Sequence, residues 1–416
     1  MNTLVGKRLK YPYDNMMGLG MMGVGKRTLP KDLLSSELLL AEGFESSAEW
    51  TAVNGVASDN TTEFVSGTQS VKTVPTAGLS MTVGKTVNID FSQAEIIRFS
   101  IYIDPSTPVT AQMVYYLANN TNFANYYTYA FNQANFRTGW NKFNLLKSDF
   151  VVGGGAPTFA NPILKVQVRN VAGVAEQPSM SLDRLESGKL AIPSVIFTFD
   201  DGYANQYTDA FLYMRNYKIS GTVYVVTDWI GTGAYTTAAQ LQEMDRAGWA
   251  IANHTTDHTT LIGLDEATQE IQLSGAKAAL DALGLTKASN HVAYPSGVYN
   301  ADTLTAMAAT TMMTGRGGQA RNNVLPNDSI YQLGARYITS STSLATVTGL
   351  IDAAIIRGES IILMFHEIKT SPGANDWTPS DFHALVDYVN TKRSQIVPLT
   401  IEEWYRASLG SVVVDK

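Results

Sequence analysis

No cysteine occurs anywhere in the 416 residues. A disulfide framework, a thiolate metal site and a cysteine nucleophile are all excluded, so any bound metal must rest on imidazole and carboxylate. Basic runs are missing as well. The formal net charge is -7 and the pI is near 5.3, which excludes the basic face that nucleic-acid phosphates require. No apolar run reaches the ~20 residues of a membrane helix. The nearest, Met16 to Val24, is diluted by glycine and closed by Lys26 and Arg27, with no small-x-small cleavage site after it. It reads as a retained segment rather than a signal peptide, and its Met/Gly character suits docking on a partner chain.

What is present points to a folded chain of two domains. Apolar residues make up 45% and charged ones 16%, which is the balance of globular proteins rather than disordered ones. The length exceeds the ~100–200 residues of an ordinary single domain.

From Leu40 onward, short alternating stretches such as Ser70–Val74, Ile97–Ile103, Asn125–Phe131 and Leu164–Val168 are broken by turn residues. Strands of period two with almost no helical pattern predict an all-β sandwich of jelly-roll type. The opening Gly43-Phe44-Glu45-Ser46 with Trp50, and the closing Ser181-Leu182-Asp183-Arg184, resemble jelly-roll carbohydrate-binding modules.

After Lys189 the texture changes. Apolar runs at Val195–Phe199, Gly221–Val226, Trp249–Ala252, His291–Tyr294, Tyr331–Ile338 and Ile361–Phe365 alternate with helical stretches at Ala238–Ala247, Asp265–Leu283, Ala301–Ala309, Leu344–Ile356 and Ser380–Lys392. This alternation predicts a distorted α/β barrel. The expected division is an N-terminal extension over 1–39, a β-sandwich over 40–187 and the barrel over 188–416.

Barrel enzymes carry their chemistry at the C-terminal ends of the strands, so the residues closing each run are the candidates. The first run ends Asp200-Asp201-Gly202, two carboxylates whose side chains diverge, although such a triplet also serves as a plain turn. The third leads into Asn253-His254-Thr255-Thr256-Asp257-His258, and imidazoles at this spacing suit zinc and similar divalent ions. With only five histidines in the chain, a chance pair is less expected than usual. The last run ends in His366, a polar group at the mouth of an apolar strand and a candidate proton carrier. One Asp and two His leave a metal position open for chemistry, as catalytic sites do.

Taken in order, Thr198-Phe199-Asp200-Asp201-Gly202, His254-Thr255-Thr256-Asp257-His258 and Tyr294-Pro295-Ser296-Gly297 resemble the NodB-homology polysaccharide deacetylases of carbohydrate esterase family four, over about Pro193 to Arg406. The resemblance implies that Asp200 is the general base, that Asp201, His254 and His258 hold a divalent metal with zinc first, and that His366 is the general acid. It also implies an oxyanion donor in the Ser296 amide and a groove wall from Tyr294, Pro295, Ser296 and Gly297. Many members place an Arg two residues before that Pro, where it pairs with the base. Here the position is Ala293, a form that resembles the branch acting on poly-N-acetylglucosamine. Arg316 and Arg336 are then the candidates for orienting the base. Leu363 and Met364 are expected to line an acetyl pocket unless they are core, and Trp377 to stack on a sugar unless it packs.

The expected activity is deacetylation of an N-acetylated polysaccharide. The alternatives are an O-acetyl esterase and a non-catalytic glycan-binding or structural protein. A glycan substrate without an export signal fits an extracellular or virion-associated tail protein, with a homo-oligomer or virion partner for the Met/Gly segment. No nucleic acid and no membrane span are expected.

Overall fold

The computed structural model describes residues 38–104, 112–131, 136–171, 179–325, 327, 329–409 and 413–414. The expected N-terminal extension falls almost wholly outside them.

The N-terminal region is built from two sheets. One has seven strands and includes Leu38–Glu42, Gly55–Asn60, Ser70–Pro75, Ile96–Ile103, Gly139–Leu145 and Met180–Gly188. The other has six and includes Met81–Ile89, Gln112–Ala118, Tyr126–Phe131 and Ile163–Val171. Period-two patterning explains the core between them: Ile97, Phe99 and Ile101 from one sheet share a single cluster with Val83, Met113, Tyr115 and Val166 from the other. Pairing is antiparallel except where Val413–Val414 near the C-terminus lies parallel to Leu38–Leu39. The alternate residues Arg98 and Ser100 are also buried, because the outer face of this sheet meets the rest of the chain. Arg98 Nε donates to Asn144 Oδ1 at 2.8 Å, and Asn144 Nδ2 donates to the Arg357 carbonyl at 3.1 Å. Arg357 closes the contact with a bidentate pair to Asp149 at 2.6 and 2.8 Å.

The second region is barrel-like. Its parallel strands run in the spatial order Thr314–Arg316, Ala288–Ala293, Ala250–Asn253, Thr222–Val225, Ser194–Phe199, Ser360–Phe365, Arg336–Tyr337, with Val397–Pro398 joining the start of the Ser194 strand. The segment before Arg336 curls back toward the opposite edge, where Leu333 bridges to Arg316. Helices Ala238–Arg246, Glu266–Ala282, Ala301–Ala309, Leu344–Arg357 and Pro379–Thr391 form the outer layer, and each starts on a side-chain cap, in order Thr237, Asp265, Asn300, Ser343 and Thr378.

Strand pleating sorts these side chains into two cores. Val195, Phe197, Phe199, Ile361, Leu363 and Phe365 face the helices. Ile196, Tyr224, Ala252, Ala293, Ile362 and Met364 face the barrel interior. Continuing that alternation past the strand ends puts Asp200 and His366 on the interior side. The Arg357 contact with the N-terminal region precedes the strand Ser360–Phe365 that leads into His366, so it lies at the strand starts, roughly 20 Å of extended chain from the mouth.

Candidate active site

The mouth is assembled by tight, locally over-determined turns. The Asp200 amide donates to the Phe365 carbonyl at 2.9 Å. Buried Gln206 donates to the carbonyls of both Asp200 and His366, tying the two strand ends together. After the strand Ala250–Asn253, Asn253 donates to the Leu273 carbonyl at 2.8 Å and accepts from the Thr255 amide at 2.8 Å, while the His258 amide donates to Thr255 Oγ1 at 3.1 Å. Four residues of this mouth have left-handed backbone: Asp201 at φ 71°, Thr255 and His258 at 67°, and Ser296 at 59°. For β-branched Thr255 that is a rare conformation. Such strain costs on the order of 1–3 kcal/mol per residue and persists only where surroundings impose it, which here means the turns that aim the ligands.

Asp201, His254 and His258 converge. His254 Nε2 and His258 Nε2 each lie 3.4 Å from Asp201 Oδ1, and one ligand atom from each residue lies within 4.8 Å of the others. Two ligands about 2.05 Å from an ion at a tetrahedral angle stand ~3.3 Å apart, so this spacing fits a first-row divalent metal. Asp201 Oδ1 is buried and has no hydrogen-bond partner among the described residues, a demanding state for a carboxylate unless a cation completes it. The 2.8 Å contact of His254 Nδ1 with the Ala293 carbonyl places the proton on Nδ1 and leaves the Nε2 lone pair facing Asp201. Burial opposes ionisation of Asp201, and its carboxyl falls below the usual range only through the positive charge that His254, followed by His366 and His258, carries when protonated; the neutral His254 that serves a metal exerts no such pull. Burial and the neighbouring His254 push His258 down, keeping it the neutral ligand form.

Beside this cluster, Asp200 is paired with Arg316, whose Nη2 lies 2.7 Å from Oδ1 and 2.6 Å from Oδ2. His366 stands across the cavity with Nε2 3.9 Å from Asp201 Oδ2. Its ring packs on Tyr337 at 5.3 Å between centroids.

The cavity, of about 570 Å³, is lined by these groups with Ser296, Gly297 and Gly318 on one side and Ala374, Asn375 and Asp376 on another, a size within the ~300–1,000 Å³ of small-molecule sites. Its aromatic lining comes from Tyr203 and Tyr337. Tyr203 stacks on Tyr235 at 5.0 Å, Tyr235 contacts Trp229 at 4.8 Å, and Trp229 contacts His258 at 5.4 Å. Burial and the surrounding carboxylates, Asp200 foremost, push the Tyr337 phenol up to about 12, so its hydroxyl remains a donor.

Several expected site residues are placed elsewhere. Leu363 is fully buried on the helix side; only Met364 of that pair reaches the cavity, because adjacent strand residues face opposite ways. Trp377 is 2% exposed, donates Nε1 to the Thr342 carbonyl at 2.9 Å and packs on Phe365, so it has no face for a sugar. Tyr294 and Pro295 are buried behind the wall, Tyr294 donating to the Tyr331 carbonyl at 2.8 Å. Arg336 turns away from Asp200 to Asn322 Oδ1 at 3.1 Å and the Ala320 carbonyl at 2.7 Å. Sequence reasoning missed Tyr203 and Tyr337. Tyr203 directly follows the Asp-Asp-Gly turn, a signal that was available; Tyr337 lies on a two-residue strand that gives none.

Residues 187–315 match the family model described as polysaccharide deacetylase. YxkH of Bacillus subtilis (strain 168), a protein named for polysaccharide deacetylation, is 33% identical over 121 residues, which cover 29% of this chain and 43% of that protein. The chain thus spans less than half the length of this curated relative. Among solved structures, a Streptococcus pyogenes deacetylase in complex with acetate is 26% identical, covering 37% of this chain and 68% of that one at a TM-score of 0.33. A family 4 carbohydrate esterase from Streptomyces lividans in complex with acetate is 15% identical, covering 54% of this chain and 98% of that one at a TM-score of 0.35.

Proposed function

We propose, from the premise that residues 187–315 form a polysaccharide deacetylase domain, that this chain hydrolyses the acetamide of N-acetylated amino-sugar residues in a bacterial surface polysaccharide. The observation that carries the reading is the convergence of His254 and His258 at 3.4 Å on an unpartnered buried oxygen of Asp201, with an Arg-paired carboxylate on one side and an imidazole on the other. A divalent ion, zinc by first choice, supplies Lewis-acid polarisation of the acetyl carbonyl when bound there.

The chain's own groups do the rest. Asp200, held in place by the two contacts from Arg316, takes the proton from the attacking water. The Ser296 amide, on its left-handed turn, faces the developing oxyanion. His366, on the far side of Asp201, donates a proton to the leaving nitrogen. Met364 bounds the acetyl methyl, and Tyr203 and Tyr337 flank the sugar.

Further proposals stand beside it. The division at residues 187 and 188 separates the catalytic barrel from a jelly-roll sandwich that binds glycan, mediates assembly or spaces the barrel. The protein acts outside the cell or on a virion tail, and its Met/Gly N-terminus joins it to further copies or to a virion partner.

The test is acetate release from an N-acetylglucosamine polymer and from an O-acetylated polysaccharide, by wild type and Asp201→Ala, with and without chelator and added zinc. Release from the N-acetylated polymer that needs both Asp201 and metal is the expected result. Release from the O-acetylated polymer alone makes the protein an esterase, and release from neither removes the enzymatic reading.

A further inference from the structure

Arg316 is fully buried, and its side chain is held in an unusual way. A guanidinium offers five N–H donors in a fixed plane. Here Nη2 is committed to Asp200, Nη1 donates to the thioether sulfur of Met364, and buried Nε has no hydrogen-bond partner among the described residues. Asp200 is therefore the one hard acceptor on the guanidinium, since a thioether is a weak one. Beyond these contacts, the orientation of the guanidinium depends on what packs against its face.

The ring that packs against that face is Tyr224. It lies on the strand Thr222–Val225, faces the barrel interior and is completely buried. The Arg316 Cζ stands 5.2 Å from its ring centroid, within the reach of a cation–π contact, which is stronger in a site without water. The Tyr224 hydroxyl meets no acceptor or donor at hydrogen-bond geometry among the described residues but lies close enough to feel the Arg316 charge, so ring and hydroxyl both bear on Arg316 and the Phe variant separates them.

We infer that Tyr224 is a positioning residue for the proposed reaction: its ring face fixes the plane of the Arg316 guanidinium, and through it the orientation of the Asp200 carboxylate. The inference rests on the deacetylase reading given above. A base must hold its oxygen within about 0.5 Å and 10–20° of the productive geometry, and no contact beyond Arg316 is needed to transmit that demand to Tyr224.

The experiment measures kcat, KM and metal content for wild type, Tyr224→Phe, Tyr224→Leu, Tyr224→Met, Arg316→Gln and the double variant Tyr224→Leu/Arg316→Gln on the same acetylated polymer. Crystal structures of wild type and of the better-behaved of Tyr224→Leu and Tyr224→Met accompany it. Methionine has nearly leucine's volume but an unbranched, adaptable side chain without a ring face, and serves where leucine packs poorly. Loss of the ring is expected to lower kcat roughly ten- to thirtyfold with KM and metal content nearly unchanged. Tyr224→Phe recovers most of that loss. In the Arg316→Gln background the same replacement adds less than about threefold, because residues acting through one another are not additive. In the crystal, the paired contacts of Arg316 with Asp200 are lost or lengthened. The inference is overturned if Tyr224→Phe and Tyr224→Leu behave alike, if the loss persists in full without Arg316, or if the Arg316–Asp200 contacts survive removal of the ring. A wild type that releases no acetate is a separate result: it removes the deacetylase reading, while the crystal comparison still decides whether the ring places Arg316.

Discussion

Arg316 Nη2 meets both carboxylate oxygens of Asp200, at 2.7 and 2.6 Å, although the two residues lie 116 positions apart and on strands separated by three others in the sheet. The pair crosses the barrel interior, so the proposed base is anchored from the opposite wall rather than from its own turn.

Removing one partner of a buried pair leaves an uncompensated charge and costs about 3–5 kcal/mol. Arg316→Gln is therefore expected to lower the melting temperature and to reduce kcat by at least ~100-fold, while Arg316→Lys, which keeps charge but not the fork, lies between. Thermal melts and steady-state kinetics on both variants check this. A glutamine variant with wild-type kcat would mean that the Arg316 pair is not what orients Asp200.

Metal binding should depend on the three converging ligands and on nothing else at the mouth. Asp201→Asn and His254→Ala are each expected to reduce zinc affinity by two or more orders of magnitude, while His366→Ala leaves it within about tenfold and instead lowers kcat, since proton donation contributes typically 10²–10⁴-fold. Titration calorimetry separates the two classes. Equal loss of zinc in His366→Ala would make His366 a ligand rather than a proton donor.

Much of this arrangement is legible in the chain itself. The runs ending in Asp200 and His366 are long, apolar and closed by a polar residue, and the helices between them carry caps and helical periodicity. Two kinds of information are not. A wholly buried strand such as Ser360–Phe365 has no alternation to show which face is which, so Leu363 and Met364 look equivalent until His366 is known to point inward. Pairing across the barrel has no local signature either: Arg316 sits on a three-residue strand containing Gly315, too short to stand out, and nothing in spacing distinguishes it from Arg336. Trp377 illustrates a third limit, since an aromatic in a loop with Gly and Pro reads as exposed until Thr342 and Phe365 are seen to enclose it.

The opposite placements of Trp377 and Tyr203 yield a paired expectation. Trp377 packs within the helix-side core, and truncating a buried aromatic costs about 3–5 kcal/mol. Trp377→Ala should destabilise the protein with KM unchanged, whereas Tyr203→Ala should raise KM several-fold with little change in melting temperature. Measuring both quantities for both variants decides the matter, and a KM effect in Trp377→Ala without a stability loss would return it to the sugar site.

Asp183 carries a pH-dependent prediction for the N-terminal region. It lies on the strand Met180–Gly188 with no exposed surface. Burial pushes its carboxyl from the ordinary 3.8 up to about 6, against the opposing pull of the Val65 and Ser66 amides and Arg184. Its Oδ2 accepts from the Ser66 amide at 3.2 Å and from Val65, while Oδ1 is buried without a hydrogen-bond partner among the described residues. A carboxyl whose folded pKa exceeds its unfolded one makes the folded state the tighter proton binder, so its contribution is fully present well below about pH 4 and is lost as the pH rises through 6. At 1.36 kcal/mol for each tenfold in proton affinity, the loss is about 3 kcal/mol. Asp183→Asn, which does not titrate, should therefore gain roughly 2 kcal/mol or slightly more relative to wild type between pH 4 and pH 7, the rest of the change lying below pH 4. Urea unfolding of both proteins across that range reads the difference with all other titrations cancelled. A difference that stays constant with pH would show that Asp183 is already ionised at pH 4, and that the Val65 and Ser66 amides outweigh its burial.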